Sequence, residues 1–430
     1  MRKNVQKQTA LLLAILFLLA DSVYAGEEGS IRTLQEFLRE ALSRNPQLEA
    51  ARERWEASRK RIPQSSSLPD PTAGYMIMGQ DLETRLGPQK DVFEVEQMVP
   101  FPGKLVERHR MAVADAMATE AQRKGVERDL ILKVSQAYAE VYAIDATVAV
   151  VEEIKETLQK FEGIAQARYA SGKGSQRDVA KAQAEVSDTL QRLFVLRQQR
   201  ETTAAFLNAL INRDPGTPLG PVAPPRLPSL SMTLEDLVAL AQKQRPELGE
   251  ASALLVKSRH AYSLAKFEYV PDLSIGFQYV GIENGMTTDP NDGQDAWMIP
   301  LKVTLPLWQN RIGAAVQEAK RNLEASRADL QQVQNMSAYD VKDAYYRFTS
   351  ARQIVGLYEN ALIPEAELAF RSDQAGYEGG TIDVLNLVDS ERVLLNAKVA
   401  YHQALADALK SFAALERAVG TDLEDKGDIR

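Results

Sequence analysis

The chain repeats itself at a fixed offset. The segment TLQEFLREALSRNPQLEAARERWEASR that opens at Thr33 returns as TLEDLVALAQKQRPELGEASALLVKSR at Thr233, so Thr33, Pro46, Leu48 and Ser58 recur at Thr233, Pro246, Leu248 and Ser258. The register is constant, since 233 − 33 = 200. Self-similarity in constant register over about half a chain marks a duplicated fold, so each function-bearing element is expected twice. The 430 residues then read as one composite body with repeats over 26–230 and 231–420 and a tail over 421–430.

The N-terminus carries Arg2, Lys3 and Lys7, the apolar run Ala10 to Ala20, and then Val23-Tyr24-Ala25. This order reads as a cleaved secretory signal over residues 1–25. The run is too short for the roughly 20 residues of a membrane-spanning helix. Cleavage removes three basic residues and Asp21, taking the formal charge from −8 to −8 − 3 + 1 = −10. An acidic chain with scattered basic residues argues against nucleic acid as a partner. The absence of cysteine excludes disulfides, thiolate metal sites and a lipid-modified N-terminal Cys. No later run approaches transmembrane-helix length, so any passage through a membrane must be made as a barrel.

Proline marks where helices cannot run. None lies between Pro102 and Pro215, and only Pro364 follows Pro306. Apolar residues recur there at coiled-coil spacing: Val134, Val141 and Val148 beside Ala137, Ile144, Val151, Leu158 and Ala165, and later Val341, Phe348, Val355 and Leu362 beside Ala344, Ala351 and Tyr358. A helix from about Leu105 to Ala170 is expected, roughly 100 Å long at ~1.5 Å per residue. Ser171-Gly172-Lys173-Gly174-Ser175 turns it into a second helix ending near Leu210, a hairpin over 105–211. The second hairpin, over 312–418, turns at Gly376-Tyr377-Glu378-Gly379-Gly380 and returns through Asp383, with Pro364 expected to bend it. Alanine on both faces of these helices suits packing on two sides, in a curved helical wall or in an ordinary coiled coil.

Ahead of each hairpin the period changes to two. Leu273, Ile275, Phe277 and Tyr279 alternate with Ser274, Gly276 and Gln278, and Trp297, Ile299, Leu301, Val303 and Leu305 alternate with Met298, Lys302 and Thr304. Gly281 to Ala296, rich in Asn-Gly and Asp-Gly steps, reads as an exposed loop. The first repeat has Ala73, Tyr75 and Ile77, a loop expected around Gly79 to Lys90, and Phe93, Val95 and Val99 alternating with Glu94 and Glu96. These segments, over 72–100 and 272–306, fit a transmembrane barrel with Glu94, Glu96, Gln278 and Lys302 facing water; a soluble half-buried sheet gives the same alternation. Pro300 is a blemish, because it cannot donate to a ladder. Four strands do not close a barrel; two chains would supply eight and three would supply twelve.

Taken in order, these features resemble the TolC family of bacterial outer-membrane efflux proteins over nearly all of the mature chain. The marks are the doubled Thr-Leu openings with their Pro-x-Leu, the run Gln97-Met98-Val99-Pro100-Phe101-Pro102-Gly103-Lys104, the series Tyr169-x-x-Gly172-x-x-Ser175-x-x-Asp178-Val179, and Leu415-Glu416-Arg417-Ala418-Val419-Gly420. The resemblance implies a mixed, mostly α fold. Duplicated helical hairpins would form a periplasmic helical barrel, and four strands per chain would enter a twelve-stranded β-barrel shared by a homotrimer in the outer membrane. It implies three kinds of partner besides lipid: two further copies, a periplasmic adaptor of the membrane-fusion type, and an inner-membrane pump of RND or ABC type. Tip residues Gly172, Lys173, Gly174, Gly379 and Gly380 would meet the adaptor, and Asp178, Tyr377, Asn386 and Asp389 would form the periplasmic gate. A bond from Tyr377 to the Asp178 carboxylate and a ring of Asp389 are expected within it. Asn386 and Ile382 depart from the acidic and basic residues found there in relatives, which implies a less charged gate. Pro100-Phe101-Pro102-Gly103-Lys104 is similar to the version in heavy-metal efflux relatives.

No catalytic, cofactor or metal site is expected. His109, His260 and His402 make no paired ligand spacing, and Met76 and Met78 read as lumen filling. Gly172-Lys173-Gly174-Ser175 lacks the Gly-Lys-Ser/Thr order of a phosphate loop. The competing reading is a soluble periplasmic coiled-coil scaffold or adaptor whose strands pair as a small sheet.

Overall fold

A computed structural model describes residues 31–285 and 288–423; the expected signal sequence over 1–25 lies outside them. The chain divides into two compact units, each drawing on both repeats. The first holds the chain up to Glu49 with Val126–Arg245 and Ser337–Arg430, and the second holds Ala50–Gly125 and Pro246–Met336.

In the first unit, short helices α1 (Leu34–Arg44) and α5 (Leu234–Gln244) make the duplication visible in three dimensions. Each begins at a threonine cap: Thr33 closes a capping box with Glu36, and the Thr233 hydroxyl accepts from the Asp236 N–H. Each buries the same two positions, Phe37 with Ala41 and Leu237 with Ala241. Phe37 packs with Val134, Tyr138, Val141, Leu207 and Ile211, while Leu237 packs with Val341, Ala344, Leu415 and Val419. The long helices are α3 (Pro102–Ala170), α4 (Gln176–Leu210), α7 (Gln309–Leu357), α8 (Ile363–Glu378) and α9 (Val384–Val419); α3 and α7 run through both units. Ala139, Ala143 and Ala406 form a fully buried patch, as expected where small residues let helices approach closely.

The helix changes its winding just ahead of Pro364. Between α7 and α8 the chain makes a π turn over Tyr358–Leu362. A proline has no N–H for the carbonyl four residues earlier and its ring crowds that carbonyl, so the wider turn just ahead of it absorbs the misfit.

In the second unit, helices α2 (Pro46–Ser66) and α6 (Pro246–Phe267) lead into an antiparallel sheet. Strands β1 (Thr72–Thr84), β2 (Gly87–Val99) and β3 (Leu273–Ile282) are joined by β4 (Ala296–Met298) and β5 (Leu301–Val303), which both pair with β3. The order is β1-β2-β3-β4, so the strands of the two repeats form one sheet, side by side. β4 and β5 fill one strand position, broken at Pro300. The Pro300 carbonyl still accepts from the Gly276 N–H at 2.9 Å, so the ladder bridges the break.

The loop expected around Gly79 to Lys90 is not there. β1 and β2 run 13 residues each and meet in a tight turn at Arg85-Leu86, with Thr84 paired to Gly87. Gly87 has φ of +113°, and a Cβ there would lie 1.9 Å from the Glu283 carbonyl. Hairpin turns of this kind need a left-handed residue, and Gly87 supplies it without an Asn-Gly or Asp-Gly signal. The longer connection after β3 folds back on this turn: Glu283 N–H donates to Pro88 O, Gly293 N–H to Leu86 O, and Arg85 pairs with Asp289 at 2.9 Å.

Candidate functional site

Two regions carry the expected functional residues, and each is built separately. In the sheet, strand register sorts side chains by face, because neighbours along a strand point opposite ways. Glu94 pairs with Gln278 and Gln278 with Met298; Glu96 pairs with Gly276, and Ser274 with Lys302. The Lys302 ammonium reaches across β3 to both Glu96 and Glu94. All four expected lumen residues therefore share one polar face.

The opposite face is apolar and exposed. One row runs unbroken through four strand positions, Tyr75 beside Phe93, Phe93 beside Tyr279, and Tyr279 beside Trp297. The sequence reading placed these aromatics on strands but missed that they stand at one height, which only the register reveals. Ile77, Ile275, Phe277, Leu301 and Val303 extend the same exposed surface. A continuous apolar face of this size marks an interface with lipid or protein, and an aromatic row is what barrels place at the headgroup level. Among the described residues no helix is long and apolar enough to cross a membrane.

At the joint between β2 and α3, the Pro100–Lys104 motif finds a structural use. Phe101 packs on Phe267 with ring centroids 5.5 Å apart, and a Cβ on Gly103 would meet these rings at 2.7 and 2.9 Å. The buried Lys104 ammonium lies 2.9 Å from Asp272, which also accepts the Phe101 N–H at 2.8 Å. Of the histidines, His260 contacts Glu107 at 2.7 Å and His402 contacts Tyr142. Among the described residues no cluster of three or more His, Cys, Asp or Glu could hold a metal ion.

The hairpin ends share one backbone plan. At the end of α3, Lys173 N–H donates to Arg168 O and Gly172 N–H to Tyr169 O; at the end of α8, Thr381 N–H donates to Gly376 O and Gly380 N–H to Tyr377 O. Both are Schellman turns, with Gly172 at φ +69° and Gly380 at φ +75° in the left-handed position that closes them. The returning helices are capped at equivalent places, with 383 − 175 = 208. The Ser175 hydroxyl accepts from Asp178 N–H while the Asp178 carboxylate accepts from Ser175 N–H, and the Asp383 carboxylate accepts from Leu385 and Asn386 N–H.

Within the single chain the Asp178 carboxylate accepts from the Ser175 N–H of its own capping box, and Tyr377 makes no hydrogen bond to it. Tyr377 is instead held by Arg168, whose guanidinium lies 5.1 Å from the ring centroid and donates to the Tyr377 carbonyl at 3.2 Å. Phe161 meets the same ring edge-on, with centroids 6.3 Å apart. Arg168 was missed in the sequence, where nothing local distinguishes it from other basic residues on α3. Asn386 is exposed in the first turn of α9, and Asp389 is exposed and paired with Arg392 at 2.7 Å. Lys173 and Gly379 are exposed at the two turns, and Gly174 packs under the first against Arg168 and Tyr169.

Comparison with known proteins agrees with this architecture. The family model described as Outer membrane efflux protein matches residues 37–213 and 237–421, one stretch per repeat. The outer membrane efflux protein BepC of Brucella suis is 24% identical over 99% of this chain and 93% of its own length. The cobalt-zinc-cadmium resistance protein CzcC of Cupriavidus metallidurans is 22% identical over 93% of this chain and 92% of its own. The solved structure of the outer-membrane channel OprN superposes with a TM-score of 0.78 at 18% identity, covering 91% of each chain. The competing reading of a soluble scaffold is set aside by these matches. The chain belongs to the outer membrane efflux protein family.

Proposed function

We propose that three copies of the chain form one passive conduit through the outer membrane, each adding four strand positions to a shared twelve-stranded barrel. The observation that carries this reading is the two-faced sheet. One face is an exposed apolar surface with an aromatic row, the other bears Glu94, Glu96, Gln278 and Lys302, and four strand positions are too few to close by themselves. Strand arithmetic also admits two copies; the resemblance to the TolC family selects three.

In this reading the helical hairpins continue the conduit, and the exposed turns at Gly172, Lys173, Gly174, Gly379 and Gly380 meet a periplasmic adaptor. An inner-membrane pump of RND or ABC type supplies the energy, and no bond is made or broken on the chain itself. Asp178, Tyr377, Asn386 and Asp389 form the gate. A threefold ring of Asp389 would concentrate negative potential on the axis and favour cations. The likeness to a cobalt-zinc-cadmium resistance protein supports the same substrate class.

Fractionation tests the assembly. A heat-modifiable oligomer released only by detergent is expected, and release by osmotic shock would contradict the assembly. For the gate, Asp178→Asn with Asp389→Asn removes charge while leaving an acceptor at the cap. The double variant should shift the closed-state conductance in planar bilayers toward weaker cation selectivity; unchanged selectivity would refute the assignment.

A further inference from the structure

A carboxyl lies in the middle of an apolar stripe on the returning helix of the second hairpin. Along α9, Leu387, Val388, Leu394 and Leu395 are buried, and Glu391 falls on the same face with only 2% of its surface exposed. Its Oε1 atom is closed off from solvent and has no hydrogen-bond partner. The burial arises within a single chain, so no second copy is needed to cover it. Val186 and Leu193 of α4 share one apolar cluster with Leu387, Val388 and Leu395, together with Phe161 and Tyr377.

The charged groups on the surrounding helices do not neutralise it. From α4, Glu185 presents a second carboxylate, and Lys181 is paired with that residue at 3.7 Å. Lys398 of α9 lies between Glu153 of α3 and Glu367 of α8, at 3.9 and 3.7 Å. Arg392 is paired with Asp389. Among the described residues no cation pairs with Glu391. A carboxylate in such a place is poorly solvated, whereas the neutral acid is tolerated.

We propose that Glu391 is a proton-binding site that keeps the tip-proximal helices packed while it is protonated and loosens them when its proton leaves to bulk water. Burial first and the field of Glu185 second push its pKa up to about 8. The packed state therefore binds one proton more than a locally opened state over the interval between the ordinary value of 4.5 and about 8. Linkage gives the sign: packing is most stable in acid, weakens as pH rises through that interval, and levels off above it. Within the interval the opening equilibrium grows about tenfold per pH unit. Asp178, Asp383 and Asp389 lie outside this stripe, at the caps and on the exposed face, and do not share the burial that produces the effect.

Amide hydrogen exchange on the detergent-solubilised protein tests this without reference to conduction. After correction for the intrinsic rate, protection of amides in 384–399 should fall about tenfold per unit between roughly pH 6 and 8 and then level. Glu391→Gln, isosteric and unable to ionise, should show a flat profile. A flat profile in the parent protein, or the parent slope persisting in E391Q, would overturn the proposal. If E391Q does not fold, infrared spectra of the parent protein decide: a protonated buried carboxyl at about pH 6 that is lost by about pH 9 supports the site, and an ionised one throughout refutes it.

Discussion

Tyr169 and Tyr377 occupy the same position in equivalent Schellman turns, yet Tyr169 is 50% exposed and Tyr377 only 4%. The backbone does not cause this difference, since both ends have a left-handed glycine three residues on and a capped helix beyond it. The cause lies in the partners around the ring, an apolar cluster with Phe161, Val186 and Leu387 together with Arg168. Arg168 sits on the first hairpin and spends its side chain on the second, packing on the Tyr377 ring and donating to its carbonyl, while Phe161 meets the same ring edge-on. Gly376, the residue of the second hairpin that corresponds to Arg168, has no side chain to return the favour. Duplication fixed the turn, and divergence in the residues around it buried one tyrosine and left the other exposed.

Substitutions can break this asymmetry or sharpen it. The largest effect should come from Tyr377→Ala, which removes a buried ring and should cost about 3–5 kcal/mol of tip stability. Tyr169→Ala should cost under about 0.5 kcal/mol. Thermal unfolding in detergent or local proteolysis compares the two, and equal losses would break the contrast. Arg168→Ala should cost about 2 kcal/mol through the lost charged hydrogen bond and ring contact. Its signature is faster exchange at residues of the second turn, reached from a change in the first hairpin.

Smaller effects test the shared plan. Gly172→Ala and Gly380→Ala should each cost about 1–2 kcal/mol, because both force an L side chain into the left-handed region. A large inequality between them would mean the turns are not equivalent. Ser175→Ala and Asp383→Ala remove caps at about 1 kcal/mol each, read as fraying of α4 and α9 by exchange.

Much of the architecture was legible in the sequence, and the reasons are local. Long proline-free stretches with heptad spacing gave the hairpins, and Gly172 and Gly380 gave their turns. The constant offset of 200 placed Phe37 and Leu237 in matching pockets. What stayed hidden depended on partners distant in sequence. The Arg85-Leu86 turn carries no strong turn signal, so two 13-residue strands read as shorter strands around a loop. The aromatic row needed cross-strand register, which alternation along one strand does not contain. The Arg168–Tyr377 contact likewise depends on where the two hairpin ends lie, which local sequence does not contain. Glu391 was readable, as one acid in the stripe Leu387-Val388-x-x-Glu391-x-x-Leu394-Leu395, but its solitude became evident only when the neighbouring helices were in place.

If copies of the chain share one pore, one face of the sheet meets lipid and the other meets water inside it. The chain has no cysteine, so single thiols can be introduced on a clean background. Glu94→Cys and Phe93→Cys are adjacent in β2 and point to opposite faces. A membrane-impermeant thiol reagent applied to reconstituted channels should modify Glu94→Cys and lower its conductance, while Phe93→Cys stays unmodified. Modification of Phe93→Cys with Glu94→Cys protected, or equal reaction at both, would contradict the account.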